Sequence, residues 1–270
     1  MDRRFLRANA RVAHIDLGAA DGVSRRRPQM KCIATEVTDL CRLPGKGRDK
    51  QMLYGQDFAV LDVDGGFAFG YDPRDGYVGY VPETALGQPF DATHRVRVAL
   101  THAYAEPDFK SADLSLLPLG SEVRVVGQDA GYALMDTHGY VLSHHISPLD
   151  TPVADWVAVA EGFENAPYLW GGNTATGMDC SGLVQMSIWA AGRDCPRDSD
   201  LQEAAFSAAT GSPERGDLVF WTGHVGVMVD ADTLLHANAH HMAVAREPLD
   251  QAIERIGARE FGDVTKIARP

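Results

Sequence analysis

A cysteine at the mouth of a helix, an aspartate before it and two histidines downstream are the residues of this chain that can do chemistry. The cysteine is Cys180, in the stretch YLWGGNTATGMDCSGLVQMSIWAAG from Tyr168 to Gly192. Gly171, Gly172 and Gly177 mark a loop; Leu183, Val184, Ile188 and Ala191 fall at the spacing of one buried helix face, and Gly192 supplies a stop. Asp179 is placed to cap that helix, which puts Cys180 at its first position. There the unpaired backbone N–H groups and the helix dipole favour a thiolate. Taken alone, the same pair also reads as a buried structural cysteine beside an ordinary capping aspartate.

A cysteine nucleophile needs a base within hydrogen-bond reach, and the base needs a partner to orient it. His224 opens the strand-like run HVGVMV, and His236 lies in TLLHANA. If Asp230–Asp232 form the turn between them, 224 pairs with 238 and 226 opposes 236. Both imidazoles then stand on one sheet face, one residue pair apart. One ring can act as base while the other fixes its tautomer. Two histidines with a cysteine could instead ligate zinc; the strand entry GDLVF…H favours the nucleophile, and no metal or other cofactor is expected. The adjacent pairs His144–His145 and His240–His241 would face opposite ways on a strand and are given no site. Trp156, Trp189 and Trp221 read as core.

Four regions must position these groups. Residues 1–29 form a polar arm, Arg-rich at 25–27 and closed by Pro28, either disordered or wrapped on the body. Residues 30–90 and 91–150 read as two small β barrels, because short alternating runs are broken by DG, GG and DP pairs. The two regions are a degenerate duplication: Gly55 aligns with Gly120, Gly66 with Gly131, and Gly79-Tyr80-Val81 with Gly139-Tyr140-Val141. Only the first copy carries the segment DPRDG and Tyr77. DVDGGFAFGYDP is not an EF-hand, since Pro73 stands where the loop needs its glutamate, and its aspartates read as turn residues. Residues 151–270 place helices ahead of a β-meander, an α+β arrangement. Asp155 or Thr151 can cap the first helix, and PRDSDLQEAAF supplies a short third one.

Composition narrows the partners. A net charge of −12 argues against nucleic acid and against an anionic membrane surface. No apolar run reaches the length of a membrane span. The N-terminus shows no secretory signal, so a cytoplasmic location is expected. The four cysteines, at 32, 41, 180 and 195, contain no CxxC pair and read as Cys180 plus three packed thiols.

The motifs YLWGG…DCSGLVQ, PRDSDLQ, GDLVFW…HVGVMV and LLHA, in this order, resemble the NlpC/P60 family of papain-like cysteine peptidases. The β repeats resemble the bacterial SH3-like domains fused ahead of it. The resemblance implies an α+β papain-like peptidase domain behind two SH3-like barrels. It implies Cys180 as nucleophile, His224 as base, His236 as its orienting partner and Tyr168 at the oxyanion site. Members with tandem SH3-like domains cut the γ-D-glutamyl–diamino acid bond of murein peptides with a free N-terminal L-Ala. The positions that match their amine-binding residues are Asp179, Ser181, Ser199 and, from the first barrel, Tyr77. An acidic residue of that barrel takes part in some members; Glu36 and Asp39 are the candidates here. The same Cys–His site also suits an amidase or endopeptidase on polymeric wall. A non-enzymatic wall-binding protein would not need Cys180, His224 and His236 intact.

Overall fold

The computed structural model describes residues 2–18 and 22–270. The chain forms two compact units. The first gathers the residues up to Val96 with Thr101–Leu117 and Ser121–Ile146; the second holds Arg97–Leu100, Pro118–Gly120 and Ser147–Pro270. Among the described residues no helix is long and apolar enough to cross a membrane.

The first unit is all β apart from single 3-10 turns. Its larger sheet runs, in spatial order, Lys46–Leu53, Val37–Leu43, Val78–Pro82, Phe67–Tyr71, Asp57–Asp64, Gln29–Ile33 and Leu86–Gly87. Alternation along Asp57–Asp64 sends Phe58 and Val60 to one apolar cluster, with Ile33, Leu40, Met52 and Val81. Ala59 and Leu61 go to the other face, where they meet Val12 of the arm. That is why the strand is buried on both sides: the arm wraps the barrel and serves as its second cover. Arg11 of the arm bonds Asp62 at 2.9 Å, and Arg26 approaches the same carboxylate at 3.4 Å. Asp62 is therefore a buried charge partner and not a turn residue.

Asp72 keeps the expected turn role, its Oδ1 accepting from Arg74 N–H at 2.8 Å, and adds a charge role to it. Asp72 and Asp75, both in the segment peculiar to the first copy, each accept a bond of 2.7 Å from Lys50 Nζ. Lys50 is 1% exposed. Two carboxylates around one buried ammonium pin the DPRDG loop, because a charge left unpaired there is costly.

The second sheet runs Asp113–Pro118, Leu100–Tyr104, Gly139–Leu142, Tyr132–Met135 and Val125–Asp129. The duplication is visible in the backbone. In both copies the Gly-Tyr-Val strand feeds one 3-10 turn, Glu83–Ala85 and Ser143–His145. Gly55 is also where the copies meet. A Cβ there would lie 2.0 Å from the carbonyl oxygen of Glu122, at a φ of +80°, so only glycine fits. Alongside, Tyr54 accepts the Glu122 N–H at 2.8 Å and its hydroxyl bonds Thr137 at 2.8 Å.

The second unit packs helices on a six-stranded antiparallel sheet. The helices are α1 (Trp156–Glu161), α2 (Cys180–Ala190), α3 (Ser199–Ala205) and α4 (Leu249–Arg259). The strands run Ser207–Ala208, Lys266–Arg269, Leu218–Trp221, His224–Met228, Thr233–Asn238 and Ala243–Pro248. Asp155 caps α1 by accepting from the N–H groups of Val157 and Ala158 at 3.0 and 3.1 Å. The meander closes in the expected register: Val227 pairs with Leu235 and Met228 with Leu234, which sets 224 opposite 238. Helix α4 and the strand after it were not expected. The α4 sequence is amphipathic, and Leu249, Ala252 and Ile256 pack on Val219, Trp221 and Leu234.

The two adjacent histidine pairs are not on strands. His144–His145 lies in a 3-10 turn and His240–His241 in the turn after Asn238. In each the rings meet edge to face, with centroids 4.4 and 4.7 Å apart, so the opposed orientation expected of a strand does not apply.

Candidate active site

The nucleophile's helix begins as the sequence requires. Asp179 is the N-cap of α2, and its Oδ1 accepts from Gly182 N–H at 2.7 Å. The glycine loop folds back on the helix start. A Cβ on Gly182 would come within 2.4 Å of the Gly172 carbonyl oxygen, so the glycine of DCSG is what allows loop and helix to touch.

The rest of Asp179 is occupied. Its Oδ2 accepts from Gly171 N–H at 2.8 Å, and Arg197 grips both oxygens, at 2.9 and 2.7 Å. Arg197 is 1% exposed and also donates to Ser181 Oγ at 2.7 Å. Gln202 of α3 donates to the carbonyls of Ser181 and Pro196, both at 2.9 Å, which ties α3 to the start of α2. Ser199 is the first residue of α3 and is buried; the N-cap is Asp198.

The sheet brings the imidazoles. His224 Nε2 and His236 Nδ1 are 2.9 Å apart. His236 Nε2 lies 3.2 Å from Glu247 Oε2, and Glu247 is held by Arg255 through bonds of 2.9 and 2.7 Å. The chain of bonds fixes the protons. Arg255, then His236, hold the Glu247 carboxyl well below its usual range, so it is ionised and can only accept. His236 therefore carries its proton on Nε2 and accepts at Nδ1. His224 donates from Nε2, and its Nδ1 keeps a lone pair. Phe261, just past α4, stacks on His224 at 5.2 Å between centroids, and Trp221 lies 5.7 Å away.

Helix α2 packs against the strand His224–Met228. The Cys180 sulfur accepts a hydrogen bond from the backbone N–H of Val225, the neighbour of His224. Burial, then the Asp179 charge, push the Cys180 thiol up to about 12, although Val225 and Arg197 work the other way. Burial, then His236, pull His224 down to about 3. The expected thiolate is thus not the resting form: the helix terminus is outweighed by desolvation and by Asp179. At neutral pH both partners rest uncharged. Tyr168 sits beside them; burial, then Cys180, raise its phenol, so its hydroxyl stays a donor.

The buried imidazoles make stability pH-dependent. Both folded pKa values lie below the unfolded one, so the unfolded chain binds more protons, for His224 between about pH 3 and 6.5. Stability is therefore lost as pH falls from 7 to 5, with a slope approaching about 1.4 kcal/mol per pH unit from His224 and a further loss of the same sign from His236. Urea unfolding at a series of pH values checks this; equal stability at pH 7 and pH 5 would contradict it.

Of the residues singled out by sequence, Cys180, His224, His236, Tyr168, Asp179, Ser181 and Ser199 all belong to the second unit. Tyr77 belongs to the first, where it is 2% exposed and packs with Ile33, Leu40 and Met52. Asp39 pairs with Arg48 at 2.7 Å, and Glu36 is exposed. All four cysteines are free thiols. Sequence reasoning passed over Arg197, Glu247, Arg255 and Phe261. Arg197, inside the quoted PRDSDLQ motif, was the one with a signal.

Comparison with known proteins adds an independent line. Residues 165–255 match the NlpC/P60 family, and residues 40–86 match the bacterial dipeptidyl-peptidase Sh3 domain. The gamma-D-glutamyl-L-lysine dipeptidyl-peptidase of Bacillus cereus is 28% identical over 249 residues, 79% of this chain and 75% of its own length. The protein of the same name from Bacillus subtilis is 27% identical over 188 residues, 62% of this chain and 61% of its own. Among solved structures, an NlpC/P60 family protein from Bacillus cereus aligns with a TM-score of 0.73 at 19% identity, covering 89% of this chain and 99% of that one. The α+β papain-like unit behind SH3-like barrels is the fold that the sequence led us to expect.

Proposed function

We propose that this chain, which carries an NlpC/P60 cysteine peptidase domain and a bacterial dipeptidyl-peptidase SH3 domain, cuts the γ-D-glutamyl–L-diamino acid bond of murein peptides with a free N-terminal L-Ala. The observation that carries the reading is the hydrogen-bond chain from Glu247 through His236 to His224, which leaves His224 Nδ1 as an acceptor. The names of the two Bacillus relatives support the choice of bond.

In this mechanism His224 Nδ1 takes the Cys180 proton as the sulfur attacks the γ-carbonyl carbon of D-Glu. Because both groups rest uncharged, proton transfer accompanies attack. The Cys180 N–H and the Tyr168 hydroxyl stabilise the oxyanion. His224 then gives its proton to the leaving amine, and the C–N bond breaks. Water attacks the thioester with His224 again as base, releasing L-Ala-D-Glu and restoring the thiol. His236 stabilises the imidazolium and is a positioning residue.

For the amine end we propose Ser181 and Ser199 as oxygen acceptors, with Asp179 as the negative pole; Tyr77, 2% exposed in the apolar core of the first unit, is left out of this set. Arg197 already offsets that carboxylate, so the hydroxyls matter more here than beside a lone aspartate. N-terminal acetylation removes the ammonium. It is expected to lower kcat/KM for L-Ala-γ-D-Glu-diamino acid peptides by about 10²-fold or more. Equal cleavage of acetylated and free peptides would overturn the free-amine requirement and favour an endopeptidase on polymeric wall. A free-amine substrate suits small released fragments, so we place the reaction in cytoplasmic murein-peptide recycling; the activity should then fractionate with cytosol and not with the wall.

A further inference from the structure

We infer that His236, His241 and Glu247 form a site for a divalent transition metal, zinc by donor chemistry, that switches the peptidase off by reversing the His224–His236 hydrogen bond. The switching part rests on the cysteine peptidase reading; the binding part does not.

One ligating atom from each of the three residues lies within 4.8 Å of the other two. His236 is fully buried and His241 is exposed, so the cluster opens to solvent at one side. Bonds of about 2.0–2.2 Å to a tetrahedral ion require the ligands to close up by roughly an ångström, which the exposed His241 side chain can supply. His241 is also pre-set for the task. The Asn238 side-chain oxygen accepts from the His241 backbone N–H at 2.8 Å and lies 3.0 Å from its Nδ1. That oxygen is an acceptor, so Nδ1 carries the proton and the lone pair is on Nε2. Asn238 is itself anchored, donating to the His236 carbonyl at 3.2 Å. A carbonyl oxygen behind a histidine, fixing its tautomer, is the second layer that metal-binding histidines usually have. Two imidazoles and a carboxylate suit zinc and its neighbours; magnesium and calcium want oxygen alone. The ion competes with Arg255 for Glu247 Oε2, while Arg255 keeps its bonds to Oε1 and to Glu260.

The consequence follows from counting protons. Without metal the protons sit on His224 Nε2 and His236 Nε2. An ion on His236 Nε2 takes that lone pair, so a neutral His236 carries its proton on Nδ1 instead. Nδ1 then donates to His224 Nε2, and the second proton moves to His224 Nδ1. Two protons before, two after, and none is released. The nitrogen that should accept from Cys180 now bears hydrogen, and the base is lost.

Calorimetry with zinc sulfate on full-length Cys180→Ala, and on the same chain with His241→Phe, tests the site without any turnover. One zinc per Cys180→Ala chain is expected, weakened at least about tenfold by His241→Phe. In the wild-type thiol background, His241→Phe should keep basal kcat/KM and need at least about tenfold more zinc for half inhibition. Nitrogen-15 spectra of the Cys180→Ala chain should show His236 Nδ1 gaining a proton when zinc is added. Loss of zinc binding on removing the thiol, or unchanged inhibition in His241→Phe, would put the ion on Cys180 and His224 and overturn the inference. A chain that binds zinc as described yet cleaves no peptide would sink the peptidase reading and leave the site standing.

Discussion

Replacing Cys180 by alanine is expected to eliminate peptide hydrolysis, and replacing His236 by alanine to lower kcat by about 10²- to 10⁴-fold with KM little changed. In the proposed mechanism His236 never meets the substrate. It accepts the His224 Nε2–H at 2.9 Å, in a place where no water replaces it easily, because His224 is 3% exposed and His236 fully buried. Without that acceptor the His224 ring loses both its tautomer and its orientation. The loss should fall on kcat, because the bond matters most when His224 becomes an imidazolium. His236→Gln, which restores an acceptor oxygen, should recover part of the activity. A His236→Ala chain that folds and keeps full kcat would show that the second imidazole is only packing.

Arg197→Met is expected to destabilise the chain by about 3–5 kcal/mol, measured by urea or thermal unfolding. The methionine fills much of the volume but leaves the Asp179 carboxylate buried without its bidentate partner. The uncompensated charge also lies next to Cys180, whose thiol Asp179 already raises and Arg197 lowers. Activity should therefore fall beyond what the lost stability explains. Adding Asp179→Asn removes the second charge while asparagine still caps the helix, so the double variant should regain much of the stability. Independent, additive losses would mean the two side chains do not act as a pair.

The parts of this site written in local sequence were legible. The aspartate, cysteine and glycines around 171–182 specify a helix start by themselves. The histidine register followed from a turn at Asp230–Asp232 and the two-residue period of strands. The roles of groups that act by tertiary closure were not legible, even for Arg197, which lies inside a quoted motif. Arg197 reaches Asp179 from eighteen residues away, and Glu247 reaches His236 across a strand pair. Neither is marked by periodicity, since a buried arginine and a strand-edge glutamate look like surface residues until the fold is closed. Helix α4 was passed over although its signal is local: Leu249, Ala252, Ile253 and Ile256 fall at the spacing of one helix face. The protonation state failed differently. Helix-terminus electrostatics are readable in a sequence, but desolvation is a property of the finished core, and here it wins.

The arm changes what counts as the smallest workable piece of this protein. Val12 shields Ala59, Leu61, Phe69, Tyr71 and Val78, on the side of the sheet facing away from the barrel's own interior. A fragment trimmed to the recognisable SH3 segment, residues 40–86, would leave that greasy side wet, and would also shed the strand Gln29–Ile33. Such a fragment should clump or borrow a neighbour's strand. Recognisable homology and thermodynamic self-sufficiency therefore end at different residues here, and anyone cutting this molecule into parts should keep its first thirty or so.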